Sequence, residues 1–525
     1  MPDDADVIAR LRNQWSLDFV RVRRVLAAVR DDSTVTDLVG ASGLPRRDVE
    51  AVLAELPPDV RSSATGVRCG GTPDPPDPAA LTKQMNELAA GLPPSRWRLD
   101  HVPATAETMA RRALHLAQEY ELAGASVLCL GDHDLTSLAV GLVQPGVDLT
   151  VVDIDEFILD HIRDSAVQLR LPLTTAWADL RLALPPSLVG TADLVFTDPP
   201  YTTEGMRLFL VRALEALRPT GHERLAFCFG TGERHLVKAL EVQSMLADLR
   251  LALEAMLPGF NQYDGAEAIG ARSDLYICRP TKGAKVGDAS RPSRSRKRPN
   301  IYTRGPSALE ASGRELPEPV RSAALAAVAD DPALLVGDGW GAEAISLPEY
   351  FGRIAAWVTA ARPAPFPFTG TPVINTWPDY GAAALRTLLL AAPERAVLIA
   401  PRPGRPESTV LPVAYDVADV PTGPGGDPAV LLITRHGRVP AGNAEAILRH
   451  MLLHPGAKIV NAWRDGLLVA ARESGLTMTK NEARARIGVD TLQPSLRRLR
   501  VWELPLTVLA ALPREVARSA AGLPH

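Results

Sequence analysis

The 525-residue sequence predicts an α/β fold with a parallel, Rossmann-like sheet in its central part. Two observations carry this prediction. Short apolar segments alternate with segments of helical period between residues 125 and 200, as they do in βαβ units. Four successive apolar segments also end beside an aspartate, so we expect acidic side chains along one edge of the sheet.

The first strand is predicted at 125–130 and runs into the turn Gly131-Asp-His-Asp134. Leu135, Leu138 and Leu142 follow with helical spacing, so a helix should begin directly after this turn. The strand-turn-helix order is that of a nucleotide-binding fold, in which a glycine lets the backbone pass close to the ligand.

The second strand, 148–152, ends in Asp153-Ile-Asp-Glu156 and opens another helix. An acidic residue about 20 residues after the glycine turn is where such folds bind ribose hydroxyls. Asp153 and Asp155 are both candidates for that contact. A third strand is expected around 174–178 and ends at Asp179.

The fourth strand ends in Asp198-Pro-Pro-Tyr201, which is the most informative motif in the chain. The two prolines fix φ near about −65° and remove two N–H donors, so Asp198 should be held at the strand tip. A carboxylate in that place can orient an amine. The motif therefore indicates a site in which a nucleophilic nitrogen meets an activated carbon.

Together these motifs resemble the branched-chain polyamine synthases, also called N(4)-bis(aminopropyl)spermidine synthases, from about residue 100 to 280. The resemblance implies a class I methyltransferase-type sheet. It also implies transfer of an aminopropyl group from decarboxylated S-adenosylmethionine to a nitrogen of a linear polyamine such as spermidine. Because the donor is a sulfonium and already electrophilic, no metal is expected. The segments that carry the likeness are 100–112, 131–137, 152–156, 198–202, 263–267 and 273–276.

The resemblance also implies roles for single residues. Asp132 and Asp198 are the catalytic candidates, and either could take the proton of the attacking nitrogen. The residues assigned to the donor are Gly131, Asp153, Asp155 and Asp179. The residues assigned to the acceptor amine are His133, Asp134, Tyr201, Glu204, Asp264 and Glu267.

Two features keep other activities open. The family's glycine turn carries three aspartates, whereas the middle position is His133 here, which makes the site less acidic and adds a group that titrates near neutrality. The Asp-Pro-Pro-Tyr motif also occurs in amino-methyltransferases that act on nucleic-acid bases. The alternatives are therefore S-adenosylmethionine-dependent methylation of a base or small amine, and a nonenzymatic DNA-binding regulator with a ligand-sensing nucleotide fold.

Further segments flank the central domain, which is predicted at 100–285. Residues 1–60 predict a helix-turn-helix, winged-helix-like domain, because apolar positions from Ile8 to Val22 follow one helical face and Gly43 lies in a turn. Residues 300–525 predict a second α/β or α+β domain of unknown function, with another helix-turn-helix pattern near 476–499. The connecting segments are a linker with a lead-in helix at 61–99 and a basic disordered linker at 286–299.

Composition limits the expected partners. A formal net charge of −4 gives no overall attraction for nucleic acid and is compatible with a cationic substrate. The four cysteines lie far apart, which predicts neither a zinc site nor a disulfide framework. Without a signal peptide or an apolar run of about 20 residues, the protein is expected in the cytoplasm and off the membrane. The N-terminal domain is expected to pack or dimerise, so a homodimer is predicted.

Overall fold

The structure is a computed structural model. The described residues are 4–30, 32–57, 76–92, 102–230, 236–265, 271–284, 301, 315–341, 343–360, 364–402, 410–422, 428–487 and 494–523. The basic segment 286–299 and the first part of the other predicted linker, 61–75, lie outside them.

The central unit is a seven-stranded mixed sheet in the order β3-β2-β1-β4-β5-β7-β6. Strands β1 to β5 are parallel to their neighbours in this set, and β7 runs antiparallel between β5 and β6. This is the class I methyltransferase type of sheet that the sequence predicted. The strands are β1 (Ser126–Leu130), β2 (Asp148–Asp153), β3 (Leu173–Trp177), β4 (Leu194–Thr197), β5 (Arg224–Phe229), β6 (Leu251–Gln262) and β7 (Arg272–Pro280).

The strand order reverses between β1 and β4, and doubly wound sheets bind ligands in the crevice at such a point. Leu130 and Thr197 are partners across this pair, and the Thr197 hydroxyl donates to the Leu130 carbonyl at 2.7 Å. Asp198 directly follows Thr197, and Asp132 follows Leu130 after one residue, Gly131. The two catalytic candidates therefore leave the sheet at the same edge, on neighbouring strands.

Helices accompany the strands, and side-chain oxygens cap several of them. Thr105, Asp155 and Thr202 accept backbone N–H groups at the starts of three helices, which satisfies donors that have no partner within the helix. The helices of this unit are α5 (Pro78–Ala89), α6 (Ala106–Glu119), α7 (Thr136–Val143), α8 (Glu156–Leu169), α9 (Thr203–Ala216) and α10 (Leu236–Asp248).

The N-terminal unit is helical in its described residues, with α1 (Asp4–Trp15), α2 (Phe19–Ala28), α3 (Val35–Ser42) and α4 (Arg46–Glu55). Gly43 ends α3 with a φ of +67° and leads into α4, as the helix-turn-helix pattern predicted. No strand that could form a wing occurs within 4–30 and 32–57. The winged part of the prediction is therefore without support in this segment.

The single helical face predicted from Ile8 to Val22 is divided between α1 and α2. A 3-10 turn, Ser16–Asp18, separates the two helices, and Ser16 adopts a φ of +46°. The turn brings the Asp18 carboxylate to the central unit, where Arg224 donates to it at 2.7 Å and the His222 ring lies 2.8 Å away. The break thus attaches the N-terminal helices to the seven-stranded sheet, and a helical periodicity cannot reveal this attachment.

The C-terminal unit contains a five-stranded sheet in the order β11-β12-β10-β9-β8. Strands β8 to β10 are parallel, and β12 and β11 add to them antiparallel. The α/β organisation expected for this half of the chain is thus present in its described residues. The strands are β8 (Ala333–Val336), β9 (Thr371–Asn375), β10 (Arg395–Ala400), β11 (Tyr415–Val420) and β12 (Ala429–Arg435).

The helices of this unit are α11 (Glu318–Ala326), α12 (Leu347–Thr359), α13 (Ala384–Ala391), α14 (Asn443–Leu452), α15 (Ile459–Glu473), α16 (Lys480–Arg486) and α17 (Leu506–Ala520). The helix-turn-helix expected near 476–499 is only partly described. Its first helix is α16, but a 3-10 turn, Pro494–Arg498, stands where the recognition helix was predicted. Arg498 contacts Asp148 of the seven-stranded sheet at 3.0 Å, so this arginine makes a contact within the molecule.

One continuous apolar cluster includes residues of both sheets, whereas the N-terminal helices have a separate cluster around Phe19 and Val22. The central and C-terminal units therefore share a core. Within the described residues, no helix has the length and apolar character needed to cross a bilayer.

Candidate active site

The turn after β1 joins the tips of β1 and β2. Gly131 has a φ of +69° and donates its N–H to Val152 O at 2.8 Å. A Cβ here would meet only an ordinary contact, Phe209 Cε1 at 3.5 Å, so glycine is required by the backbone conformation. The next N–H, that of Asp132, points to Asp153 Oδ2 at 3.2 Å.

Asp132 lies buried in this turn, with 2% of its surface exposed. Its carboxylate accepts the Ser137 N–H at 3.1 Å at the start of α7. Burial raises the pKa of Asp132 to about 7, although the hydrogen bonds from Ser137 lower it, and the negative charge of Asp134 adds to the rise. A carboxyl with such a pKa exchanges protons at neutral pH, which is what a general base needs.

The two ribose candidates have different environments. Asp153 is buried at the tip of β2 and accepts the N–H groups of Asp155 at 2.8 Å and Asp132 at 3.2 Å. Burial raises its pKa to about 6. Asp155 caps α8 by accepting the Phe157 N–H at 3.0 Å. The structure thus places Asp153 beside the glycine turn and gives Asp155 a role at the helix start.

Asp179, which the resemblance assigned to the donor, is bound on both oxygens by Arg181. Nε of Arg181 lies 2.8 Å from Oδ1 and Nη2 lies 2.6 Å from Oδ2. Nη2 also donates to the Asp379 carbonyl at 2.9 Å, and the Tyr380 ring lies 4.3 Å from the guanidinium carbon. Residues of the C-terminal unit therefore contact the Asp179–Arg181 pair, which lies just after β3.

Asp198 lies in a hydrogen-bond network across the crevice. Its Oδ2 accepts from Arg112 Nη2 at 2.7 Å and from the Tyr263 hydroxyl at 2.8 Å, and its Oδ1 accepts from the Tyr201 hydroxyl at 3.0 Å. Burial raises the pKa of Asp198, although Arg112 opposes that rise; the charge of Asp134 raises the pKa further.

Arg112 connects Asp198 to the glycine turn. Its Nη1 donates to Asp134 Oδ2 at 2.8 Å, and its Nε donates to Asn261 Oδ1 at 2.8 Å. Burial would raise the pKa of Asp134, but the guanidinium holds it below its usual range. Two carboxylates thus share one fixed cation, which leaves a net negative charge in the crevice. Asp134, assigned from the sequence to the acceptor, contacts this arginine.

Sequence reasoning missed Arg112, Asn261 and Tyr263 as members of the site. Arg112 lies on the apolar face of α6 together with Met109 and Leu116, at helical spacing, and is fully buried. An arginine on such a face is the signal that could have identified it. Asn261 and Tyr263 come from the end of the long β6–β7 hairpin, whose pairing the sequence motifs did not reveal.

The remaining acceptor candidates occupy different places. His133 is half-buried in the turn between two aspartates, and Tyr201 packs edge-on against Phe229 with ring centroids 5.6 Å apart. Glu204 is exposed in the first turn of α9, and Asp264 is exposed next to Tyr263. Glu267 lies outside the described residues. The structure therefore brings His133 and Tyr201 to the crevice edge and leaves the two described acids in solvent.

Residues 80–281 match the family model described as branched-chain polyamine synthase A C-terminal domain. The resemblance that the motifs indicated is thus confirmed for this segment. The match ends before the C-terminal unit begins. Among the described residues, no group of three or more His, Cys, Asp or Glu side chains is placed to hold a metal ion.

Curated relatives match the same part of the chain. An uncharacterized protein of Methanocaldococcus jannaschii is 35% identical over 171 residues, which cover 33% of this chain and 43% of the relative. The N(4)-bis(aminopropyl)spermidine synthase of the same organism is 30% identical over 187 residues, covering 35% and 53%. The enzyme of that name from Thermus thermophilus is 33% identical, covering 27% and 42%. The chain thus spans about half the length of the curated relatives it matches.

Solved structures resemble the chain at lower identity. The branched-chain polyamine synthase of Thermus thermophilus, in complex with N4-aminopropylspermidine and 5'-methylthioadenosine, is 24% identical with a TM-score of 0.34, and the match covers 54% of this chain and 95% of that one. A putative RNA methyltransferase from Pyrococcus horikoshii is 14% identical with a TM-score of 0.30, covering 38% and 99%.

Proposed function

We propose that the central unit transfers an aminopropyl group from decarboxylated S-adenosylmethionine to an amine nitrogen of a polyamine such as spermidine. The observation that carries this proposal is the pair of strand tips at the switch point. There Asp132, with a pKa raised by burial to about 7, lies beside the network of Asp198. The match to the polyamine synthase domain and the names of the curated relatives support the same chemistry.

The reaction needs one proton acceptor and one orienting group. The acceptor nitrogen attacks the propyl carbon next to the sulfonium; a C–N bond forms, the C–S bond breaks, and its electron pair stays on sulfur. The proton of the attacking nitrogen passes to Asp132, because Asp198 already accepts three hydrogen bonds. Asp198 keeps the orientation needed to hold the nitrogen in line, because Arg112, Tyr201 and Tyr263 fix its two oxygens.

The charges at this edge suit a donor without a carboxylate. Decarboxylated S-adenosylmethionine carries a sulfonium and an ammonium, both of which the acids at the tips attract. The carboxylate of S-adenosylmethionine would instead need a cation. Arg112 and Arg181 are each paired with buried carboxylates at 2.6 to 2.8 Å, so neither offers its charge.

The proposal is tested by giving purified protein either donor, with spermidine or spermine as acceptor, and reading the product mass. An aminopropyl increment with the decarboxylated donor, and 5'-methylthioadenosine as the second product, is expected. A methyl increment with S-adenosylmethionine would establish the amino-methyltransferase alternative. Absence of turnover together with tight DNA binding would establish the regulator.

Two expectations from the sequence extend this proposal. The first is that the protein is located in the cytoplasm. The second is that the N-terminal helices form the contact of a homodimer. Sedimentation of the full chain tests the second: a monomer at micromolar concentration contradicts it.

A further inference from the structure

The C-terminal unit reaches the catalytic sheet at two places beside the proposed donor half of the site. Arg386 of α13 is buried and donates to Glu156 Oε1 at 2.7 Å, and Glu156 directly follows Asp155 at the start of α8. The same guanidinium lies 5.0 Å from the Trp177 ring centroid, at the end of β3. The contact therefore joins the segment after β2 to the last residue of β3.

The second contact lies after β3. The Asp379 carbonyl accepts from Arg181 at 2.9 Å, and the Tyr380 ring covers the same guanidinium at 4.3 Å. Arg181 in turn holds both oxygens of Asp179. A planar guanidinium fixed on three sides has one orientation, so the C-terminal unit sets the position of the Asp179–Arg181 pair.

We propose that residues 379–386 of the C-terminal unit are positioning residues for the donor nucleoside. This rests on the proposed function, since the segments that they brace carry Asp153 and Asp179. The acceptor half has a different construction: Asp198, Arg112 and Tyr263 all belong to the central unit. The described contacts of residues 379–386 lie on the donor half, so their loss should weaken nucleoside binding without changing acceptor recognition.

Tyr380→Ala is the first variant, because Tyr380 is half-buried and packs against the shared core without belonging to its buried residues. It takes away the ring that covers Arg181. We expect the dissociation constant of 5'-methylthioadenosine, measured by calorimetry, to rise roughly fivefold to tenfold. The KM for the donor should rise by a similar factor, with little change in the KM for spermidine. Tyr380→Phe keeps the ring and should restore binding.

Arg386→Met tests the other contact, and Arg386→Lys retains the charge beside Glu156. The methionine variant should weaken nucleoside binding, and the lysine variant should recover part of it. Thermal unfolding of each variant identifies a protein that fails to fold, in which case the Tyr380 pair decides the question.

Arg498→Met is the matched control. Arg498 belongs to the same interface but contacts Asp148 at 3.0 Å, at the amino end of β2, on the opposite edge of the sheet. If general undocking of the C-terminal unit caused the effect, Arg498→Met would weaken nucleoside binding as much as Tyr380→Ala does. We expect it to leave binding unchanged.

The outcomes separate the two proposals. A parent protein that does not bind 5'-methylthioadenosine contradicts the proposed function. A parent that binds it, with Tyr380→Ala binding equally well, overturns the positioning role alone. Equal weakening in Tyr380→Ala and Arg498→Met also overturns it.

Discussion

The tips of β1 and β4 carry equivalent aspartates in unlike surroundings. Asp132 is held by the backbone N–H of Ser137, whereas Asp198 is held by a guanidinium and two phenol hydroxyls. Burial raises the pKa of both carboxyls, but at the β4 tip the charge of Arg112 opposes the rise. The difference teaches how a single sheet edge can provide one carboxyl that exchanges a proton and one that stays fixed for orientation.

Asp132→Asn is the strongest test of the proposed difference between the two aspartates. We expect turnover to fall roughly 10²- to 10⁴-fold, because an amide cannot accept the proton, while 5'-methylthioadenosine binding stays near the parent value. Turnover and calorimetry provide the two measurements. Asp248→Asn, at the exposed end of α10, is the control and should behave as the parent. A parent-like rate in Asp132→Asn would indicate that Asp198, at the β4 tip, is the base instead.

Arg112→Met tests the structural side of the β4 tip. Removing the guanidinium leaves two buried carboxylates without their cation, which should lower the free energy of unfolding by about 3–5 kcal/mol in a urea titration. The control is Arg111→Met on the same helix, whose partner Glu107 is largely exposed at 3.4 Å. That change should cost about 0–1 kcal/mol. Equal losses of unfolding free energy would show that the Arg112 network stabilises the protein no more than an exposed ion pair does.

The pH dependence should distinguish the β1 tip. The pKa of Asp132 is about 7 in the folded protein, against 3.8 for an unperturbed aspartate, so between these pH values the folded state binds one more proton than the unfolded state. The stability this group contributes is complete below about pH 4 and is lost as the pH rises through about 7. The free energy of unfolding of the parent should therefore fall relative to Asp132→Asn across this range, by roughly a few kcal/mol.

Turnover should change in the opposite direction over the same range, because the proposed base is the deprotonated form of Asp132. Unfolding curves of parent and Asp132→Asn that stay parallel from pH 4 to pH 7 would contradict the raised pKa.

Tyr263→Phe sharpens the comparison by removing one donor from Asp198. Loss of a hydrogen bond to a charged group costs about 1.5–3 kcal/mol, so kcat/KM for the acceptor should fall roughly tenfold to a hundredfold. Tyr276→Phe is a suitable control, since the Tyr276 ring stacks on Phe227 with centroids 5.0 Å apart. A loss in the control as large as that in Tyr263→Phe would point to packing as the cause.

The smallest effect is expected from His133→Asp, which restores the family's three acids in the turn. Acceptor preference or the pH profile of turnover should shift, measured with spermidine and spermine as competing acceptors. If the variant has the same acceptor preference and pH profile as the parent, His133 has no role in acceptor recognition and is only part of the turn.

The sequence predicted those parts of the site that follow from strand periodicity. The strands β1 to β4 and the aspartates at or just after their ends are found where the apolar segments predicted them. This was possible because the end of a strand can be read from the local sequence, and parallel strands end on the same side of the sheet. Arg112 was missed because its partners, Asp134 and Asp198, are 22 and 86 residues away and only the folded sheet brings them together.

The contacts of the C-terminal unit were unpredictable for the same reason. Arg386 pairs with Glu156 across 230 residues, and Arg181 meets Asp379 across 198. No local pattern identifies the partners of these arginines, although Arg386 lies in an apolar helix whose residues are all buried. The break at Ser16 was equally invisible, since the residues on both sides of it continue one apolar periodicity.

The family match and the hydrophobic core do not end at the same place in the chain. Similarity to the synthase domain stops at residue 281, yet apolar side chains on each side of that point bury one another. A shortened chain that ended there would expose this surface to water and to other copies of itself. We therefore expect the two units to unfold together.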